Sequence, residues 1–302
     1  MLVFLGFSIL SALLLRLYAP ASSAAFIEQA HLTCLNACPH SKHVELYQAV
    51  VCGGRIQSPS VRAIFAQLGL IHLLVVSGSH FVVLESLLKL TVLKITPHRL
   101  RGAFVFSILL LFTLMTKASP PVLRAFFMFC LLAANLAFSL QWTRLQTLTI
   151  AGFATLPFCR DRWQLCSLFL SWLAALALEK MSGEKSANES GALNWRQKFL
   201  ASVFINSRVY FLLIPPLLLL TVPHPLTILA NVLFAPVMGL VLFPMSLLVF
   251  IFRPLTFVSD WIWNLILRGS EILSHQMPSD YGQAAYPSEL LVFYLAAVTL
   301  GV

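Results

Sequence analysis

Apolar residues along this chain run in unbroken blocks rather than in alternation. The blocks cover about residues 64–88, 102–116, 121–141, 145–158, 164–178, 199–222, 226–252, 255–268 and 289–302. An upright helix needs about 20 apolar residues, rising ~1.5 Å each, to cross a bilayer. The blocks at 145–158 and 255–268 are shorter and read as re-entrant or interfacial. A membrane barrel would alternate over about ten residues per strand, which these blocks do not do. The pattern predicts an all-α, polytopic helical membrane protein with broken or re-entrant helices and about seven to nine membrane segments.

The polar intervals set the expected organisation. Residues 1–19 hold the run from Leu2 to Tyr18, a membrane anchor or signal. No basic residue precedes that run and Arg16 interrupts its end, which favours an uncleaved anchor. Residues 20–63 form a small, mixed external segment. A first membrane half at 64–178 is joined to a second at 199–302 by the linker 179–198, rich in Ser, Gly, Asn, Glu and Lys. Basic residues follow the first long block (Lys89, Lys94, Arg99, Arg101) and fill the linker (Lys180, Lys185, Arg196, Lys198). Four apolar blocks separate these clusters, so both can face the cytoplasm under the positive-inside rule. Residues 20–63 then lie outside, where two of Cys34, Cys38 and Cys52 can pair.

Composition sharpens the picture. Of 302 residues, 59% are hydrophobic and 10% charged, whereas soluble domains carry about 25% charged residues. The net charge of +9 fits cytoplasmic loop bias and anionic headgroups, or basic residues facing a polyanionic cargo. The sequence has no Walker A or G-x-G-x-x-G motif, no H-E-x-x-H helix and no dense His/Asp cluster. We therefore expect no cofactor, no metal site and no enzyme, with transport energy supplied by another protein.

Three stretches place polar residues in apolar surroundings. In "GLIHLLVVSGSH", His72, Ser77, Gly78, Ser79 and His80 interrupt the first block. Serines flanking a glycine mark a helix break, tolerated at membrane depth only inside protein or beside water. A small-residue helix contact explains the same residues without a path. In "KASPPVLRAFF", Pro120 and Pro121 suit a helix's first turn with Ser119 as N-cap. Lys117, Ser119 and Arg124 would then gather at a helix start and form an anion site; alternatively Arg124 snorkels. In "LANVLFAPVMGLVLFP", Pro236 and Pro244 bend the chain, and Asn231 either bonds a freed carbonyl or lines a cavity.

Together these stretches resemble the membrane domain of ComEC-type competence proteins, which read like G-L-x-H-L-L-x-x-S-G-x-H, S-P-S-x-x-R-A and L-x-N-x-x-x-x-P in the same order. The upstream "YQAVVCGGRIQSPSVRAIFAQLGL" is also similar, and the resemblance covers roughly residues 45–270. It implies a bacterial inner-membrane channel, or channel subunit, that takes up single-stranded DNA during transformation. On that reading His72, Ser77, Gly78, Ser79, His80, Asn231 and Pro236 line the translocation path, and Lys117, Ser119 and Arg124 meet DNA phosphate. Implied partners are single-stranded DNA, membrane lipid, a separate DNA receptor, a nuclease, a cytoplasmic DNA motor and a second copy of the chain. Other cargoes remain open: an anionic or amphipathic solute, or none if the chain is an assembly subunit. Long family members add an OB-type domain and a metallo-β-lactamase-like domain, and this sequence reads as a short form without the latter. Where the family shows F-Q-L-S-F, the chain has "LFLSW", with Phe169 in place of Gln.

Overall fold

The computed structural model describes residues 21–95, 98–185 and 226–276, with scattered positions between 200 and 213. The run 1–19, linker residues 186–198 and the block 289–302 lie outside the described residues. Described elements are helices and their connections, with no strand among them. In chain order they are α1 (Ala21–Ala37), α2 (Val44–Tyr47), α3 (Pro59–Gln67), α4 (Ile71–Leu74), α5 (Gly78–Ile95), α6 (His98–Met115), α7 (Pro120–Phe138), α8 (Arg144–Thr155), α9 (Arg162–Lys185), α10 (Leu226–Val237), α11 (Phe243–Ile251) and α12 (Thr256–Ser274). The protein is an all-α membrane protein. Two of its helical stretches, Pro120–Phe138 and Leu226–Ile251, are long and apolar enough to cross a bilayer.

Local sequence explains the helix ends. Ser58 accepts from the Val61 N–H and Pro59 supplies a preset φ at the start of α3. Thr143 and Gln146 form a reciprocal capping box at α8, with bonds of 3.2 and 2.9 Å. α7 stops where Ser139 turns left-handed at φ 51° and the Leu140 N–H bonds Asn135 O. The Asn135 amide then clamps both backbone groups of Trp142, closing the turn into α8. The stretch Leu226–Ile251 runs through both prolines. A π turn at Met238–Leu242 lies between Pro236, inside α10, and Pro244, in the first turn of α11. A widened turn accommodates a ring that cannot donate and that crowds the preceding turn.

Packing divides unequally. The larger core joins the N-terminal segment, α3 to α7 and α10 to α12, so both expected membrane halves contribute to it. A smaller core of Leu148, Phe169, Trp172, Leu173 and Leu176 ties α9 to α8. There Gly152 is obligatory: a Cβ on it would fall 2.3 Å from the Trp172 indole. α9 continues to Lys185, into the stretch read as linker.

Residues 21–56 form a helical cap on one end of the bundle. Cys34 and Cys52 are disulfide-bonded, and Cys38 is a buried free thiol 3.8 Å from Cys52 Sγ. Burial pushes the Cys38 thiol up to about 12, so it stays protonated and unreactive. The cap is held by matched polar contacts: His31 to Met115 O at 2.8 Å, and Arg253 Nη2 donating to Ala37 O at 3.0 Å. Ser41 and Tyr47 both donate to Asp260 Oδ1, at 2.7 and 2.9 Å. Burial, with Asp260 alongside, raises the Tyr47 phenol. His43 Nε2 lies 3.1 Å from Asn264 Oδ1. The cap meets the Met115 end of α6; the basic stretch at His98 begins the same helix, about 25 Å away at ~1.5 Å per residue.

Candidate functional site

The first motif breaks where serine and glycine weaken a helix. α4 ends at Leu74, Val75 is extended at ψ 135°, and α5 starts at Gly78. His80 restores the start of α5: its Nδ1 accepts from the Ser77 N–H at 3.1 Å and lies 3.0 Å from Ser77 Oγ. This is the reciprocal bond of a capping box, made by imidazole instead of a carboxylate. With Nδ1 accepting, the neutral ring carries its proton on Nε2. That atom is buried with no partner among the described residues, and the ring meets Phe243 edge-on at 4.7 Å. Ser79 is exposed and bonds Ser77 Oγ at 2.6 Å.

Two glycines let this motif touch the other two. Gly69, at φ +66°, lies against α10: a Cβ there would fall 2.4 Å from Thr227 Cγ2. One turn on, exposed His72 bonds the Gly69 backbone and the Asn231 side chain. Asn231 donates its amide to Thr227 O at 2.9 Å, which leaves its carbonyl oxygen to accept from His72. Asn231 thus bonds a carbonyl of its own helix that neither Pro236 nor Pro244 frees, and it links the third motif to His72 of the first. Pro236 is exposed on the same helix. On the other side Gly78 abuts α7: a Cβ would fall 3.0 Å from Arg124 Nη2 and 3.4 Å from Pro121 O.

The second motif starts α7 as the sequence predicts, with Ser119 at the N-cap and the prolines in the first turn. The Ser119 hydroxyl makes no capping bond; it is buried without a partner among the described residues. Lys117 and Arg124 are not brought to one partner. Lys117 is half-exposed and ion-paired to Glu28 of the cap at 2.6 Å. Arg124 is 7% exposed. Its Nε and Nη2 donate to Ser171 Oγ at 3.3 and 3.1 Å. Among the described residues no carboxylate pairs with this guanidinium and no other group accepts from it. Burial excludes snorkelling as the account of Arg124 in this conformation.

Ser171 is the residue the sequence reading missed. It sits in "LFLSW", where attention fell on Phe169. Phe169 is buried in the smaller core, whereas Ser171, two residues on and so about 200° around the helix, reaches Arg124. A serine in an apolar stretch, one turn beyond Ser167, was the available signal. No group of three or more metal-ligating side chains occurs among the described residues.

No curated protein and no solved structure matches the chain. The sequence profile of the family described as Competence protein matches residues 55–302, which takes in all three motifs and leaves most of the cap outside it. The motifs that meet at this junction are therefore those of a family that serves DNA uptake, and the chain belongs to the ComEC-type competence proteins.

Proposed function

We propose that the chain forms an inner-membrane channel, or a channel subunit, that carries single-stranded DNA during transformation. The observation that carries this reading is Arg124: a cation buried at the start of a membrane helix, with a hydroxyl and, among the described residues, no acid beside it. An uncompensated charge in such a place is costly, and a passing phosphate would offset that cost. The dipole of α7 adds positive character at the same end, although Pro120 and Pro121 leave Val122 as the one first-turn residue with an N–H to offer. Ser77, Ser79 and the exposed side of His72 supply polar lining along the break, and Asn231 fixes His72. Lys117 is already paired to Glu28 of the cap, so on this reading Arg124 carries the phosphate contact without it. A DNA receptor, a nuclease, a cytoplasmic motor and a second copy of the chain complete the machine on this reading. The membrane role is as a conduit and not as an enzyme. The cap and the basic stretch near His98 lie at opposite ends of α6, which supports a cap outside and Lys89–Arg101 in the cytoplasm.

The test is uptake. Arg124→Ala should reduce transformation to background while the protein stays inserted and abundant, and Arg124→Lys should keep part of it, having charge without the planar fork. Reporter fusions at Thr96 and Ser190 should read cytoplasm and one near His43 the opposite side. Undiminished transformation by Arg124→Ala would remove the reading's main support.

A further inference from the structure

Arg124 must be held in place, and what holds it is unusual. Structural arginines inside proteins are normally gripped by carboxylates, which orient the guanidinium and cancel its charge together. Here, among the described residues, the grip is one hydroxyl, which takes bonds from both Nε and Nη2. Ser171 stands on α9, and α9 is seated by the smaller core, where the Trp172 indole lies over Gly152. Opposite, Gly78 supplies no side chain and lets backbone reach Nη2. The fork is thus pinned on one edge and bounded closely at another, while its charge is left whole.

We propose that Ser171 is the positioning residue for Arg124, orienting the guanidinium without neutralising it. Only a neutral acceptor does both. Serine fits: its lone pairs accept from the fork, and it is too short to compete with an incoming phosphate for the charge. The proposal rests on the phosphate reading of Arg124 and adds the specificity element: the site selects an anion because its own partner is not one.

Detergent-solubilised protein would be titrated with an oligothymidylate single strand across a range of salt, with thermal unfolding recorded for each variant. Arg124→Ala should weaken binding and flatten the plot of log affinity against log salt by about 0.7, one phosphate's share on a single strand. Ser171→Ala should weaken binding about tenfold with the slope unchanged, since the charge remains but is no longer aimed. Ser171→Thr should restore affinity. Ser171→Asp is the decisive variant: it should fold at least as well as wild type, yet match Arg124→Ala in affinity and slope. Adding Ser171→Ala to Arg124→Ala should cost nothing more. Wild-type binding by both Ser171→Ala and Ser171→Asp, with loss in Arg124→Ala, would overturn the positioning role and leave the phosphate reading standing. Wild-type binding by Arg124→Ala would overturn both.

Discussion

Lys117 and Arg124 stand seven residues apart on either side of one helix start, and the protein treats them oppositely. Lys117 looks toward the cap, is half-exposed and has a carboxylate at 2.6 Å. Arg124 looks into the bundle, is buried and has a hydroxyl. The contrast extends to the regions they belong to. In the cap, Asp260 receives two hydroxyls, His43 meets Asn264, and a disulfide staples the segment. Among the described residues, buried polar atoms without partners occur in both regions: Ser259 Oγ and Trp263 Nε1 beside the cap's Asp260, and His80 Nε2 and Ser119 Oγ at the motif junction. What separates the two regions is the partner given to the cation: a carboxylate for Lys117 at the cap and a neutral hydroxyl for Arg124 at the junction.

The largest effect that would sharpen this contrast is on packing at the junction. Gly69→Ala combines a left-handed backbone with a methyl 2.4 Å from Thr227 Cγ2, and should cost about 4 kcal/mol. Thr227→Ala in the same chain should recover roughly half, the share due to overlap, as read by thermal unfolding in detergent. No recovery would mean that the two motifs do not touch there.

The cap offers the next effect. Cys34→Ser opens the crosslink to Cys52, and a loop of this length contributes about 3 kcal/mol. Unfolding temperature should fall while single-strand affinity stays unchanged. A parallel loss of affinity would show that the cap does more than clamp.

A smaller effect joins the first and third motifs. Asn231→Ala leaves His72 with the Gly69 backbone alone and should cost about 1–2 kcal/mol. A double-mutant cycle with His72→Ala should show coupling of about 1 kcal/mol. Additive losses would separate the residues.

The smallest effect is on the exposed pair. Lys117→Ala should leave transformation unchanged, in contrast to Arg124→Ala. The Lys117 hydrogen bond holds the Glu28 carboxyl below its usual range. A depressed carboxyl stabilises above its unfolded pKa and loses that contribution as pH falls through the folded value. Lys117→Ala should erase only that acid-side dependence of the unfolding temperature, and solvent screening keeps it slight. A transformation defect would place Lys117 on the path after all.

Much of the fold was legible because the deciding signals are local. Prolines at 120 and 121 behind a serine give the start of α7, and Ser77-Gly78 gives the break. Other features depend on distant partners. The sequence offered three cysteines in the external segment and left the pairing open; packing brings Cys52 to Cys34 across an 18-residue separation. Ser119 was read as a capping side chain, and it holds the position without making the bond. Arg124 could not be told from a snorkelling residue, because the group that fixes it lies 47 residues away on α9. The two prolines of the third motif promised a bend, and whether a π turn would absorb it depends on what packs around α10 and α11.

The two glycines of the first motif have a mechanical consequence. Gly69 bears on α10 and Gly78 on the Arg124 fork, with eight residues between them. That segment, a single helical turn at Ile71–Leu74 followed by a non-helical stretch that begins with extended Val75, acts as a short strut with a bearing at each end. Because neither bearing has a side chain to give way, a shift of α10 is passed along the strut to α7 instead of being absorbed. One inserted residue between Gly69 and Gly78 would unseat both ends at once, so the length of this strut is constrained as tightly as its chemistry.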